Sequence, residues 1–190
     1  MKIFAETERL ILREILPTDV DGFFELDSDP EVHRYLGNKP ISRKEQAAEV
    51  IHFIRQQYIE HGIGRWAIID KKSDDFIGWT GLKFVTELIN NHKNYYDLGY
   101  RLVKKYWGKG IATETALASL NYAFHELNLP RVFAIADCEN IASNTVLKKA
   151  GLKFIESFDY DGTKHNWYKI DNWEFENKLS KKKVVAPTSN

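Results

Sequence analysis

The chain has 190 residues, 43% hydrophobic and 13% aromatic against 28% charged, which is enough apolar surface for one core and excludes a globally disordered chain. Basic and acidic residues balance at 27 each, which excludes the footprint of a dedicated nucleic-acid binder; three lysines at 181–183 leave the rest faintly acidic. One cysteine, Cys138, and six scattered histidines make neither an internal disulfide nor a metal cluster. No apolar leader pattern or run near the ~18 residues of a membrane span is present, so a reducing cytoplasm is the expected setting.

From the N-terminus, Leu10, Leu12 and Ile15 alternate with Arg9, Arg13 and Glu14 and predict a strand over 7–15, ended by Pro17. Thr18 or Asp19 caps a short helix through Leu26. Asp29-Pro30-Glu31 opens another, with Asp at the cap and Pro at the first helical position. Ser42-x-x-Glu45 reads as a capping box for a long helix carrying Ile51, Ile54, Tyr58 and Ile59 on one side, with Gly62 as its stop. Segments 65–70 and 76–84 form a hairpin across KKSDD, and 95–103 is a further strand.

Residues 111–126 have helical apolar spacing, with alanines that permit close packing on a sheet, and Pro130 ends them. A strand at 131–136 and a helix at 140–150 stopped by Gly151 follow; 153–160 and 164–170 then pair around Asp161-Gly162. This order, antiparallel hairpins followed by a β–α–β–α–β unit, predicts one α/β domain on a mixed sheet over 1–179. The aperiodic basic stretch 180–190 is expected to be a disordered tail.

The stretch 97–113, DLGYRLVKKYWGKGIAT, runs from a strand through glycines directly into a helix. Glycines let backbone N–H groups converge on an anion, and a helix N-terminus adds about half a positive charge. Lys109 lies between the glycines and Thr113 stands where a third glycine would, so neither the Walker nor the dinucleotide pattern fits. A plain tight turn is the alternative reading.

Lys105-x-x-Gly108-x-Gly110-Ile111-Ala112 resembles the [Q/R]-x-x-G-x-[G/A] signature of the GNAT acetyltransferases. TERLILRE at 7–14, DPEVHRYLG at 29–37, LGYRL at 98–102, YWGKGIATE at 106–114 and N-x-x-S-N-x-V-L-x-K-x-G at 140–151 resemble the RimJ/RimL branch in the same order. Lys105, by the resemblance a further cofactor-binding residue, stands where the signature usually has Gln or Arg. The resemblance implies acetyl-CoA as cofactor, its diphosphate on the main chain of Gly108, Lys109, Gly110, Ile111, Ala112 and Thr113. It also implies that the pantetheine arm lies along an open strand edge at 102–104, Leu102 and Val103 included, with the thioester beside 97–100.

Acyl transfer to an amine needs a neutral amine, a stabilised oxyanion and a proton for the departing thiolate. By resemblance Asp97 is the expected proton acceptor, the alternative being a solvated strand-edge aspartate. Glu25, Asp27 and Asp29 are further acids for drawing in an amine, Asp29 reading first as a cap. Asn140 and Ser143 share a helix face at i and i+3. Resemblance assigns Asn140 to pantetheine and Ser143 to the thiol as general acid, and Asn144, Lys148 and Lys149 approach the adenosine phosphates. Cys138 reads as packing, and His33, His125 and His165 have no nameable partner. Trp66, Trp79 and Trp107 are core or pocket, and the 159–165 hairpin tip and the loop between the first helices are candidate acceptor walls.

The expected function is acetyl-CoA-dependent N-acetylation by direct attack in a ternary complex, with a protein N-terminal amine as acceptor. A small amine such as a polyamine or an antibiotic is the alternative acceptor, and a non-catalytic acyl-CoA-binding module the alternative class. A monomer or a homodimer is compatible with this reading.

Overall fold

The computed structural model describes residues 1–185. Strands β1 (Ile3–Glu6) and β2 (Leu10–Glu14) precede helices α1 (Val20–Asp27), α2 (Pro30–His33) and α3 (Lys44–His61). Strands β3 (Arg65–Asp70), β4 (Phe76–Val85) and β5 (Tyr95–Leu102) lead into α4 (Ile111–His125), then β6 (Arg131–Asp137) and α5 (Ile141–Ala150). A final hairpin, β7 (Lys153–Tyr160) and β8 (Thr163–Asp171), ends in α6 (Asn172–Val185).

The eight strands form one mixed sheet in the order β1-β2-β3-β4-β5-β6-β8-β7. Every neighbouring pair is antiparallel except β5 and β6, which meet in parallel at one pair, Asp97↔Phe133. By contrast β4 and β5 stay in register from Gly78↔Leu102 to Val85↔Tyr95. The sheet is therefore two antiparallel halves hinged at Asp97, and among the described residues β5 continues to Leu102 with no ladder partner on its β6 side.

Helices cover both faces. On one, Leu98 and Leu102 of β5 pack with Ile111, Ala116 and Leu120 of α4 and Leu147 of α5 in the main core. On the other, Phe23 of α1 and Ile51 and Ile54 of α3 close over Ala67 and Ile69 of β3. Side chains alternate across each strand, so Asp97, Gly99 and Arg101 face the second side.

Several expectations change. The helix at 42 starts one residue late: Arg43 is its cap, and the Gln46 side chain, not that of Glu45, accepts from the N–H groups of Ser42 (2.9 Å) and Arg43 (3.1 Å). Ile59 is exposed, while Gly62 stops the helix at φ 69°. β1 is too short to show a period. Its Phe4 stacks on Trp66 at 4.7 Å, which makes Trp66 core rather than pocket.

α6 has no counterpart among the predicted elements, because its polar sequence has little amphipathic contrast. Phe175, 1% exposed and 5.2 Å from Phe124, anchors it to the core. This helix runs to Val185, into the stretch expected to be a tail; 186–190 lie outside the described residues. Among the described residues no helix is long and apolar enough to cross a membrane.

Candidate active site

The turn before α4 has the shape its glycines foretell. Gly108 and Gly110 hold φ of 72° and 78°, and a Cβ on either would meet nothing within 4 Å. Gly110 is the cap of α4, so the N–H groups of Ile111, Ala112 and Thr113 begin the helix without intrahelical acceptors. Open space, converging donors and the positive end of a 15-residue helix fit a polyanion such as a diphosphate. The flanking lysines lie elsewhere: Lys105 pairs with Glu25 at 2.9 Å, and Lys109 Nζ lies over the Tyr106 ring at 5.2 Å.

Along β5 the main chain is only partly free. The Val103 N–H donates to Ile77 at 2.9 Å and its carbonyl accepts from Tyr106, so Val103 has no main-chain donor to spare for a ligand. The Leu102 carbonyl accepts from the Trp107 indole N–H at 2.8 Å. Successive N–H groups on a strand point to opposite edges, so with Val103 turned to β4 the Leu102 N–H faces the gap beside β6.

Where the sheet halves part, Arg65 of β3 reaches across β4. Its guanidinium donates to the carbonyls of Gly81 (2.5 Å) and Asp97 (2.7 Å) and to Asp97 Oδ2. Among the described residues Asp97 Oδ1 takes no hydrogen bond. Burial raises the Asp97 carboxyl above the ordinary carboxylate range, against the pull of Arg65. Trp79, half-buried, lies between two cations, with Arg65 5.3 Å and Arg101 5.1 Å from its rings. Arg101 in turn holds Asp27 at 2.7 Å.

Buried His33 stands 3.6 Å from that Asp27 carboxylate with neither ring nitrogen hydrogen-bonded, and burial lowers its pKa. Each acid nominated for attracting an amine is thus engaged: Glu25 with Lys105, Asp27 with Arg101, and Asp29 as the cap accepting from Glu31 at 2.9 Å.

At the start of α5, Asn140 caps the helix by accepting from the Ser143 N–H at 3.0 Å. Ser143 is half-buried, and the Tyr100 hydroxyl lies 3.0 Å from its carbonyl and 3.1 Å from its Oγ. Burial raises this phenol's pKa well above its ordinary value, so it stays protonated.

Asn144 is not available to a ligand. Its amide donates to the carbonyls of Asp137 and Asn140, both at 2.8 Å, and its oxygen accepts from Asn166 (2.8 Å) and Tyr168 (2.7 Å). Those four bonds use the whole side chain inside the fold. Cys138 belongs to the same network through Asn166 at 3.1 Å.

The other nominated groups spread out. His125 pairs with Glu176 at 2.9 Å, and His165 packs on Tyr160 at the 159–165 tip, where Asp161 and Gly162 both have positive φ as a tight hairpin turn requires. The sequence gives no role to Arg65, to the Tyr100 hydroxyl or to Arg101, the partner of Asp27. Gly99 and Tyr100 of LGYRL lie inside a quoted motif, whereas nothing local marks Arg65.

Residues 9–153 match the family model described as "Acetyltransferase (GNAT) domain". An uncharacterized N-acetyltransferase of Bacillus licheniformis is 35% identical over 141 residues, 74% of this chain and 77% of its own length. The structure named as the RimL ribosomal L7/L12 alpha-N-protein acetyltransferase with coenzyme A has TM-score 0.75 at 17% identity, covering 90% of this chain and 98% of that one. A spermidine N-acetyltransferase of Vibrio cholerae, with coenzyme A and spermine, has TM-score 0.72 at 18% identity, covering 90% and 100%. These two likenesses show a shared fold. The family match over most of the chain and the glycine-lined helix start agree, and the protein belongs to the GNAT family as an acetyl-CoA-dependent N-acetyltransferase.

Proposed function

We propose that the protein acetylates the N-terminal α-amine of a peptide or protein, with the transfer taking place in the gap between β5 and β6. The observation that carries this site is the single parallel pair at Asp97↔Phe133, beyond which β5 runs on to Leu102 towards the turn that opens α4. The N–H groups of Gly108 to Thr113 would hold the diphosphate, and the Leu102 N–H would hold the pantetheine amide. Acetyl-CoA, when bound, supplies an activated acyl group.

The chain's own residues provide the proton handling. Asp97 Oδ1, the oxygen that Arg65 leaves open, accepts the proton of the amine, and burial raises its basicity in the direction this needs. As the amine nitrogen bonds to the acyl carbon and the C–S bond breaks, Ser143 Oγ gives its proton to the departing sulfur and regains one from solvent. Tyr100, which cannot ionise at working pH, keeps that hydroxyl oriented. Most of the rate then comes from holding amine and acyl group together.

The charge pattern supports an α-amine over a polyamine. Asp97 and Asp27 are each matched by an arginine around Trp79, so this wall offers a polycation no uncompensated carboxylate. An α-amine, with a solution pKa of roughly 7.7–8.0, is about half neutral near pH 8 and needs only a weak base. The test is acetyl-CoA turnover against N-terminal peptides, spermidine and an aminoglycoside. Preference for a peptide is expected. Faster turnover of spermidine would overturn the acceptor assignment, and tight coenzyme A binding without turnover of any amine would make the protein a binding module.

A further inference from the structure

Arg9, in the TERLILRE segment far from the glycine turn in sequence, reaches the turn in the fold. Its Nη1 and Nη2 donate to the carbonyl of Lys109 at 3.2 and 3.3 Å, and its Nε donates to Glu114 Oε2 at 3.0 Å, with Nη2 also on that carboxylate. One planar fork thus grips a main-chain oxygen of the cradle and an acid in the first turn of α4.

Two consequences follow from elementary geometry and charge. In a planar trans peptide the C=O and the next N–H point in opposite directions. With the Lys109 carbonyl held by Arg9, the Gly110 N–H is turned to the opposite side of the peptide, in a turn where a Cβ on Gly108 or Gly110 would meet nothing within 4 Å. Gly110 at φ 78° has no Cβ to oppose this peptide orientation, but equally none to enforce it. Glu114, one turn into α4, suits the helix dipole yet repels any anion placed at that N-terminus. Arg9 neutralises it through the Nε and Nη2 contacts to its carboxylate.

We infer that Arg9 is a positioning residue for the cofactor's diphosphate: it orients the Lys109–Gly110 peptide so that the Gly110 N–H serves the anion, and it cancels the Glu114 charge beside it. This rests on the diphosphate placement proposed above. The guanidinium's two roles are separable, because Arg9→Lys keeps the charge and loses the fork, whereas Arg9→Met loses both.

The experiment is isothermal calorimetry of the full chain with coenzyme A and with pantetheine, which lacks the diphosphate, for wild type, Arg9→Lys, Arg9→Met and Arg9→Met/Glu114→Gln. Losing one charge-assisted N–H contact costs about 10- to 100-fold in affinity. Arg9→Met is expected to weaken coenzyme A by about that factor while pantetheine binding stays unchanged. Arg9→Lys is expected to fall between, and removal of Glu114 to restore only part of the loss. Unchanged coenzyme A affinity in Arg9→Met, an equal loss for both ligands, or full recovery on removing Glu114 would overturn the inference. Should Arg9→Met fail to fold, Arg9→Lys carries the test through the same ratio of the two ligands. A wild-type protein that binds pantetheine as tightly as coenzyme A would instead sink the diphosphate placement itself.

Discussion

Arg65 and Asp97 are joined twice, through the Asp97 carboxylate and through its main-chain carbonyl, across space that a side chain at 99 would occupy. A Cβ on Gly99 would stand 2.7 Å from Arg65 Nη2. Gly99 thus admits the guanidinium that ties β3, β4 and β5 together where the sheet opens. Gly99→Ala should displace the guanidinium and lower stability by about 1–3 kcal/mol, as overpacking does. Chemical denaturation measures it, and an unchanged midpoint would show that Arg65 shifts freely.

Asp97→Asn leaves Arg65 buried with no matching charge, and losing one partner of a buried pair costs about 3–5 kcal/mol. If Asp97 Oδ1 also takes the amine's proton, kcat of the folded variant should drop about 100-fold or more, with coenzyme A affinity retained. A variant that loses stability but keeps kcat would make Asp97 purely architectural.

The hydroxyl pair of Tyr100 and Ser143 gives a double-mutant test. Ser143→Ala should lower kcat about 100-fold without changing coenzyme A affinity, and Tyr100→Phe should lower it less. The double variant should be no slower than Ser143→Ala, because Tyr100 acts through Ser143. Additive losses, read from initial rates at saturating acetyl-CoA, would show that the two hydroxyls act separately.

His33 makes stability depend on pH. Burial holds its folded pKa below the ordinary imidazole value of 6.5, against the smaller pull of Asp27. Between the folded value and 6.5 the unfolded chain binds more protons, so stability rises with pH through this window and is lost on acidification below about 6.5. Melting curves from pH 7 to pH 5 should fall more steeply for wild type than for His33→Gln. Parallel curves would mean that His33 is protonated in the fold without cost.

Asn144 should matter to folding rather than to the ligand. Asn144→Ala strips partners from Asn166, Tyr168 and two carbonyls, a loss of about 2–4 kcal/mol. Calorimetry on the folded protein should still return the wild-type affinity for coenzyme A.

Local chemistry wrote much of this protein into its sequence. Gly108 and Gly110 announce a left-handed turn, Gly62 and Gly151 announce helix ends, and Asp161-Gly162 announces a hairpin, because each needs a backbone conformation that most residues avoid. The same locality made Asn140 legible as a cap. What tertiary structure alone decided lies between residues distant in the chain: Arg9 on the Lys109 carbonyl, Arg65 on Asp97, and Asn144 committed to Asn166 and Tyr168. A charged or amide side chain has no period and can pair with any group the fold brings within 3 Å or so, so its partner is set by packing. For the same reason α6 is held by the burial of Phe175 and could not be read from its own polar sequence.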